Sequence, residues 1–327
     1  MTQVAILDDY QGVALQMADW SRLPADCQVE VFHDHLSAPE ALVERLCAYE
    51  IITCMRERTP FPRALLTRLP GLRLLVTTAM RNAAIDLQAA TELGIVVCGT
   101  GSGPSAPPAE LTWGLILGLI RHIPQEDAAV RAGRWGVHLG MSLEGKVLGV
   151  LGLGRLGGLV AKAGLAFGMS VIAWSQNMTA TLAAAHGATL VSKDTLFTRA
   201  DIVSVHVQLS ARTRGLVDAH ALGLMKPTAY LINTARGPIV DEAALVAALR
   251  TRRIAGAGLD VFDEEPLPPG HPLLALDNTL LVPHIGYVTE EQYRVRYQDT
   301  VENVVAYLQG TPLRILNPAV LASARRR

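Results

Sequence analysis

The sequence predicts an α/β protein of two parallel-sheet units, the second of them a doubly wound sheet, and three observations carry that prediction. Short apolar runs alternate with stretches of helical apolar spacing along almost the whole chain of 327 residues, the pattern of parallel strands joined by crossover helices. A Gly/Pro/Ser segment, Gly99-Thr100-Gly101-Ser102-Gly103-Pro104-Ser105-Ala106-Pro107-Pro108, interrupts the alternation and reads as a crossing between units rather than the interior of a helix or strand. In the second unit the apolar run Val147–Leu151 passes directly into Gly152-Leu153-Gly154-Arg155-Leu156-Gly157 and then into a helical pattern.

Taken in order, the first unit carries strand-like runs at Val4–Leu7, Val29–Phe32, Ile51–Cys54, Leu72–Thr77 and Ile95–Cys98, with helical patterns at Pro39–Tyr49 and Asp86–Leu93 between them. The second begins near Ala109 with a long helix. It continues with runs at Lys146–Leu151, Ser170–Trp174, Thr189–Val191, Ile202–Val205, Tyr230–Asn233, Gly256–Asp260 and Thr279–Val282, enough for a doubly wound sheet. Beyond His284, the stretch Val288–Leu308 has helical spacing and leads to Leu313-Arg314-Ile315-Leu316-Asn317-Pro318, so the chain is expected to return to the first unit. The first domain is then discontinuous, 1–104 and 288–327 around 105–287, with a cleft between two lobes. No internal repeat or low-complexity segment stands out.

A chain with 28 glycines produces Gly-x-Gly-x-x-Gly by chance, so the strand before it and the helix after it are what make this copy a dinucleotide site. Gly152 permits the tight turn, Gly154 lets the backbone approach a pyrophosphate, and Gly157 lets the helix pack close to the sheet. The N–H groups of the first helical turn then face the phosphates.

Composition narrows the function. Half the residues are hydrophobic and 18% are charged, against a disordered or fibrous chain. A formal net charge of −1 gives no pull toward nucleic acid or an anionic membrane, and Arg325-Arg326-Arg327 reads as a solvated tail. Cys27, Cys47, Cys54 and Cys98 show no Cys-x-x-Cys spacing and no signal peptide precedes them, which predicts a reduced, cytoplasmic protein. The apolar stretch Leu111–Ile120 has about half the length that spans a bilayer. Its near-continuous apolar run predicts instead a helix shared with a second copy of the chain. His33-Asp34-His35 lacks a third ligand at a metal spacing and reads as a polar loop, so no metal is expected.

The chemistry gathers at three strand ends. Asn233-Thr234-Ala235-Arg236-Gly237, Gly258 to Pro266 and Val282-Pro283-His284-Ile285-Gly286 each follow a strand of the second unit and bring Arg236, Glu265 and His284 to the rim where open α/β sheets hold ligands.

With these motifs in this order, and with Val205-His206-Val207-Gln208-Leu209 and Thr213-Arg214-Gly215-Leu216 between them, the chain resembles the D-isomer-specific 2-hydroxyacid dehydrogenase family over nearly its whole length. The resemblance implies a Rossmann-type NAD(P)-binding domain, 105–287, inserted in a flavodoxin-like α/β substrate-binding domain, and a homodimer formed through the inserted domain. It implies hydride transfer between a nicotinamide and a 2-oxoacid or D-2-hydroxyacid. Arg236 is cast as the grip on the substrate carboxylate, His284 as the acid/base at the C2 oxygen, and Glu265 as the carboxylate that orients His284 and favours its protonated form. Those residue types suit the chemistry, because as hydride reaches a carbonyl carbon, charge grows on its oxygen, which needs a proton while a planar guanidinium fork holds the carboxylate in line. Asp260 is implied as partner of the nicotinamide carboxamide, with Thr234 and Ala235 beside the ring and N–H groups of Arg155 and Leu156 on the pyrophosphate. Ser175, His206, Val207, Thr213 and Gly286 complete the implied cofactor site.

Departures from the family pattern carry information too. The acid expected after Val171-Ile172-Ala173-Trp174 is replaced by Ser175-Gln176-Asn177, so NAD is expected and NADP stays open. Thr78-Ala79-Met80-Arg81-Asn82 replaces a more glycine-rich substrate loop. N–H groups of Met80, Arg81 and Asn82 remain candidates for a carboxylate, and Arg81 adds a cation. Tyr287 places bulk near His284, and Arg56 either lines the site or pairs structurally with Glu57 and Thr59. The expected function is an NAD(P)-dependent dehydrogenase or 2-oxoacid reductase. A dinucleotide-sensing binding protein of the corepressor type is the alternative, and turnover separates the two.

Overall fold

Strands buried on both faces show no polar alternation and pair in parallel beneath helices, and Ile51–Cys54 and Leu74–Thr77 are buried at every position. The computed structural model describes residues 1–324, so the terminal Arg325-Arg326-Arg327 lies outside the described residues. The chain divides into one unit made of Met1–Pro104 with the chain after Tyr287, and a second of Ser105–Tyr287.

The first unit holds β1 (Thr2–Ile6), β2 (Cys27–Val31), β3 (Ile51–Cys54), β4 (Leu74–Thr77) and β5 (Val96–Cys98). All are parallel in the order β2-β1-β3-β4-β5, the flavodoxin-like order. The helix Glu290–Leu308 belongs to this unit. Asn317 then fastens the returning chain to β5, its Oδ1 accepting the Val97 N–H at 2.9 Å and its Nδ2 donating to the Ile95 carbonyl at 2.9 Å. The helix from Pro39 stops at Leu46, short of Tyr49, where a turn closes with the Tyr49 N–H on the Leu46 carbonyl at 3.1 Å and the Tyr49 hydroxyl bonds Glu30.

The second unit holds β6 (Val147–Leu151), β7 (Ser170–Trp174), β8 (Ala188–Leu190), β9 (Ile202–Val205), β10 (Tyr230–Asn233), β11 (Gly256–Leu259) and β12 (Thr279–Leu281). Their order is β12-β11-β10-β9-β6-β7-β8, parallel throughout. This is the doubly wound Rossmann order, which reverses between β6 and β9 and so opens a crevice at their carboxyl ends.

One expectation fails in this unit. Pro107 and Pro108, counted with the irregular crossing, form the first turn of a helix Pro107–Ile120, where a missing N–H breaks no bond. Its own unit buries nine of the helix's 14 residues. Leu115 and Leu119 lie on Gly258 of β11, and Gly118 leaves room for Leu280 of β12. On the other side Trp113 meets Phe167 with ring centroids 4.9 Å apart and donates from Nε1 to the Val160 carbonyl at 3.2 Å. Exposed apolar surface lies further on, at Trp135 (88% exposed) and Leu139 (94%). Among the described residues no helix is long and apolar enough to cross a membrane, and no group of three or more His, Cys, Asp or Glu could hold a metal.

Candidate active site

β6 ends at Leu151 and the chain turns through Gly152, whose φ of +99° few side chains tolerate and whose Cβ would stand 2.8 Å from Val207 across the switch point. A Cβ on Gly157 would run into the Gly152 carbonyl, so the helix Arg155–Ala166 meets the strand end at a distance only glycine allows. Gly154 is the opposite case. Nothing beyond its chain neighbours would lie within 4 Å of a Cβ there, and no side chain caps the helix that begins with Arg155 and Leu156. Open space before uncapped N–H groups fits a pyrophosphate.

Other residues implied for the cofactor are partly spent on their own loops. His206 turns its ring to Ser204, with Nε2 2.7 Å from Oγ, and burial pushes the imidazole down to about 4, leaving it neutral at neutral pH. Thr213 Oγ1 donates to the Gln208 carbonyl at 2.6 Å and accepts the Ser210 N–H at 2.8 Å. Ser175 follows β7 directly, half-buried.

The Arg236 turn is shaped by a residue that the sequence did not single out. Asn233, buried at the end of β10, accepts the Ala235 N–H with Oδ1 at 3.0 Å and donates from Nδ2 to the Arg236 carbonyl at 2.9 Å. An Asn that closes a turn two residues on is a legible signal. Thr234 Oγ1 lies 2.8 Å from Thr112 Oγ1, and Arg236 Nη1 donates to the Ala235 carbonyl at 2.7 Å. A Cβ on Gly237 would run into the Phe262 carbonyl. The Arg236 turn therefore touches the loop after β11 backbone to backbone.

That loop and the one after β12 are joined through two carboxylates. Glu265 Oε2 lies 2.6 Å from His284 Nδ1, while its Oε1 accepts the Phe262 N–H at 2.9 Å. Asp260, 1% exposed, accepts the Ile285 N–H at 2.6 Å and the Gly286 N–H at 3.0 Å, one on each oxygen. His284 itself has φ +53°, a left-handed backbone that costs a residue with a Cβ roughly 1–2 kcal/mol, and the two Asp260 bonds directly after it hold that conformation. Burial pushes the Asp260 carboxyl up to about 6; the Ile285 N–H, the His284 charge and the Gly286 N–H draw it down, and Glu265 adds to the rise. Tyr287 stands edge-on to His284, ring centroids 5.5 Å apart at 74°.

In the first unit Asn82 is buried and knits two loops together. Its Nδ2 donates to the Arg56 carbonyl at 2.6 Å and to Thr77 Oγ1 at 2.9 Å, and its Oδ1 accepts the Ala84 N–H at 2.9 Å. Arg56 N–H in turn donates to Thr78 Oγ1 at 3.0 Å, and its Nε lies 3.5 Å from Glu57. With its side chain so engaged, Asn82 has its backbone to offer a ligand, as do the exposed Met80 and Arg81.

A doubly wound sheet with a glycine turn at its switch point, and a histidine–glutamate pair on the same rim, defines a dinucleotide-dependent oxidoreductase. Residues 113–286 match the model of the family described as D-isomer specific 2-hydroxyacid dehydrogenase, NAD binding domain. The glyoxylate reductase of Aeropyrum pernix is 43% identical over 267 residues, 79% of this chain and 80% of that protein. A phosphoglycerate oxidoreductase from Vibrio cholerae has a TM-score of 0.89 at 36% identity, covering 95% of this chain and 100% of its own. The D-lactate dehydrogenase of Aquifex aeolicus, complexed with NAD and lactic acid, has a TM-score of 0.74 at 28% identity, covering 94% and 96%. The chain belongs to the D-isomer specific 2-hydroxyacid dehydrogenase family, with NAD as the cofactor of its second unit.

Proposed function

We propose that the protein transfers hydride between a nicotinamide dinucleotide and a small 2-oxoacid or D-2-hydroxyacid, with His284 as acid/base, Glu265 as its orienting carboxylate and Arg236 as the grip on the substrate carboxylate. The contact that carries this proposal is His284 Nδ1 to Glu265 Oε2 at 2.6 Å. It occupies one ring nitrogen and leaves Nε2 for the substrate. When bound, the nicotinamide gives or takes the hydride. In reduction Nε2–H delivers a proton to the C2 oxygen as charge grows there; in oxidation a neutral Nε2 removes it from the hydroxyl.

Arg236 offers forked donors to the carboxylate. Asp260, with an N–H on each oxygen, acts on this view first by holding the His284 loop and only then toward the nicotinamide. N–H groups of Met80, Arg81 and Asn82 are the proposed substrate contacts of the first unit. Tyr287, packed edge-on to His284, favours substrates of glyoxylate or pyruvate size, as does the activity in the name of the Aeropyrum relative. With Ser175 where an acid would repel a 2′-phosphate, NADPH is expected to serve beside NADH.

A homodimer belongs to the same proposal, with the helix Pro107–Ile120 and the arm that follows it as its contact. Glu126 holds that arm by accepting the Val137 N–H at 3.1 Å and the His138 N–H at 2.7 Å, and Trp135 and Leu139 stand exposed on it. The four free cysteines support a reducing, cytoplasmic setting.

The test is turnover of glyoxylate, pyruvate, hydroxypyruvate and bulkier 2-oxoacids with NADH and with NADPH, followed at the nicotinamide absorbance. Small 2-oxoacids should be reduced with either cofactor. Tight dinucleotide binding without turnover of any member would overturn the proposal in favour of a dinucleotide sensor.

A further inference from the structure

Behind Glu265 stands a second glutamate–histidine pair, and the two pairs hold neighbouring peptide groups of one loop. Glu265 takes the N–H of Phe262. Glu242, the first residue of the helix Glu242–Arg250, takes the next one, its Oε2 accepting the Asp263 N–H at 3.3 Å while its Oε1 lies 3.0 Å from His271 Nε2. His271 Nδ1 accepts the Leu273 N–H at 3.3 Å, so that nitrogen carries no proton and the ring is the Nε2–H tautomer that donates to Glu242. Glu242 is not needed as a helix cap, because Asp241 already accepts the Ala244 N–H at 3.0 Å. Its charge is felt at the loop. Burial and then Glu242 push the Asp263 carboxyl up, Asp241 adds to the rise, and Arg214 and His271 draw it down.

We propose that Glu242 and His271 are positioning residues for the His284–Glu265 pair, acting through the Phe262–Asp263 peptide; this rests on the acid/base role proposed for that pair. Glu265 is bonded to Phe262 in its own loop and to His284 in the next, both of them loop residues, and Gly237 gives that loop contact without a side chain. The bond from Glu242 anchors the loop to a helix. Its loss lets Glu265 drift, and displacement of a catalytic constellation by about 1 Å can cost roughly a hundredfold.

The experiment compares Glu242→Gln, Glu265→Gln and the double variant in steady-state reduction of the best 2-oxoacid. An amide has one acceptor oxygen and cannot serve both Asp263 N–H and His271 Nε2–H. Glu242→Gln should lower kcat roughly 5- to 20-fold with KM for NADH unchanged, and in the Glu265→Gln background the same change should cost less than about twofold, because the two act on one unit. His271→Ala should follow Glu242→Gln, and His271→Gln, which restores a donor toward Glu242, should recover much of the loss. NADH binding by fluorescence establishes that each variant is folded. Losses that multiply in the double variant, or a lower Tm with kcat intact, would overturn the proposal while leaving the acid/base pair standing. A Glu265→Gln variant with unchanged kcat would overturn both.

Discussion

Replacing Asp260 with Asn should pull apart the stability of the fold and the geometry of the His284 loop. Asp260 is 1% exposed and its carboxyl is pushed from 3.8 up to about 6, chiefly by burial. That shift corresponds to about 3 kcal/mol, at about 1.4 kcal/mol per pH unit. A raised carboxyl means that the folded protein holds the proton more tightly than the unfolded chain. Its contribution to stability is therefore complete below about pH 4 and is lost as pH rises through about 6. An amide has no such proton. Relative to the parent, Asp260→Asn should gain about 3 kcal/mol between about pH 4 and about pH 7. One acceptor oxygen cannot serve both Ile285 and Gly286, which costs about 1–3 kcal/mol at every pH, so the two proteins should be nearly equal in stability at neutral pH. Activity should not be equal: with one of its two anchors gone, the left-handed His284 loses its place and kcat should fall roughly tenfold or more. Urea unfolding of both proteins across that pH range, alongside kcat, measures each half. A stability of the variant minus that of the parent that stays constant or falls as pH rises would refute the burial argument.

Three further outcomes are expected. Arg236→Lys keeps the charge and loses the planar fork, so kcat/KM should fall roughly a hundredfold while KM for NADH holds; near-parent activity would remove Arg236 from the site. Ser175→Asp should raise the ratio of kcat/KM for NADH over NADPH by roughly tenfold or more, by bonding the ribose hydroxyls and repelling a phosphate, and an unchanged ratio would place the ribose elsewhere. Trp135→Glu combined with Leu139→Glu should turn a dimer into a monomer by sedimentation at micromolar concentration, whereas a parent protein already monomeric there would end the dimer proposal.

Much of the fold is legible because its strands announce themselves. Ile51–Cys54, Ile202–Val205 and Tyr230–Asn233 are apolar runs too short for helices and bounded by turn residues, and parallel strands buried on both faces have to look that way. Burial around a helix is harder to read. The apolar run to Ile120 packs one side on the sheet and another on the helix Arg155–Ala166, and periodicity alone does not tell such burial from an interface. In the candidate site Arg236, Glu265 and His284 are visible as reactive side chains at strand ends. The Asp260 bonds are not, since their partners lie 25 and 26 residues further along the chain and nothing local to Leu259-Asp260-Val261 announces them. The side-chain bonds of Asn82 to Arg56 and Thr77 are equally hidden, because they exist only once two loops are folded side by side.

The acid/base role of His284 is tested most directly by kcat/KM against pH in both directions, with the parent protein and His284→Asn. Reduction needs the proton that oxidation must find absent, so reduction should fall and oxidation should rise with pH through one common midpoint. His284→Asn should flatten both limbs and lower kcat roughly 10²- to 10⁴-fold with NADH binding kept. Limbs that persist unchanged in His284→Asn would contradict the mechanism and assign the proton to another group.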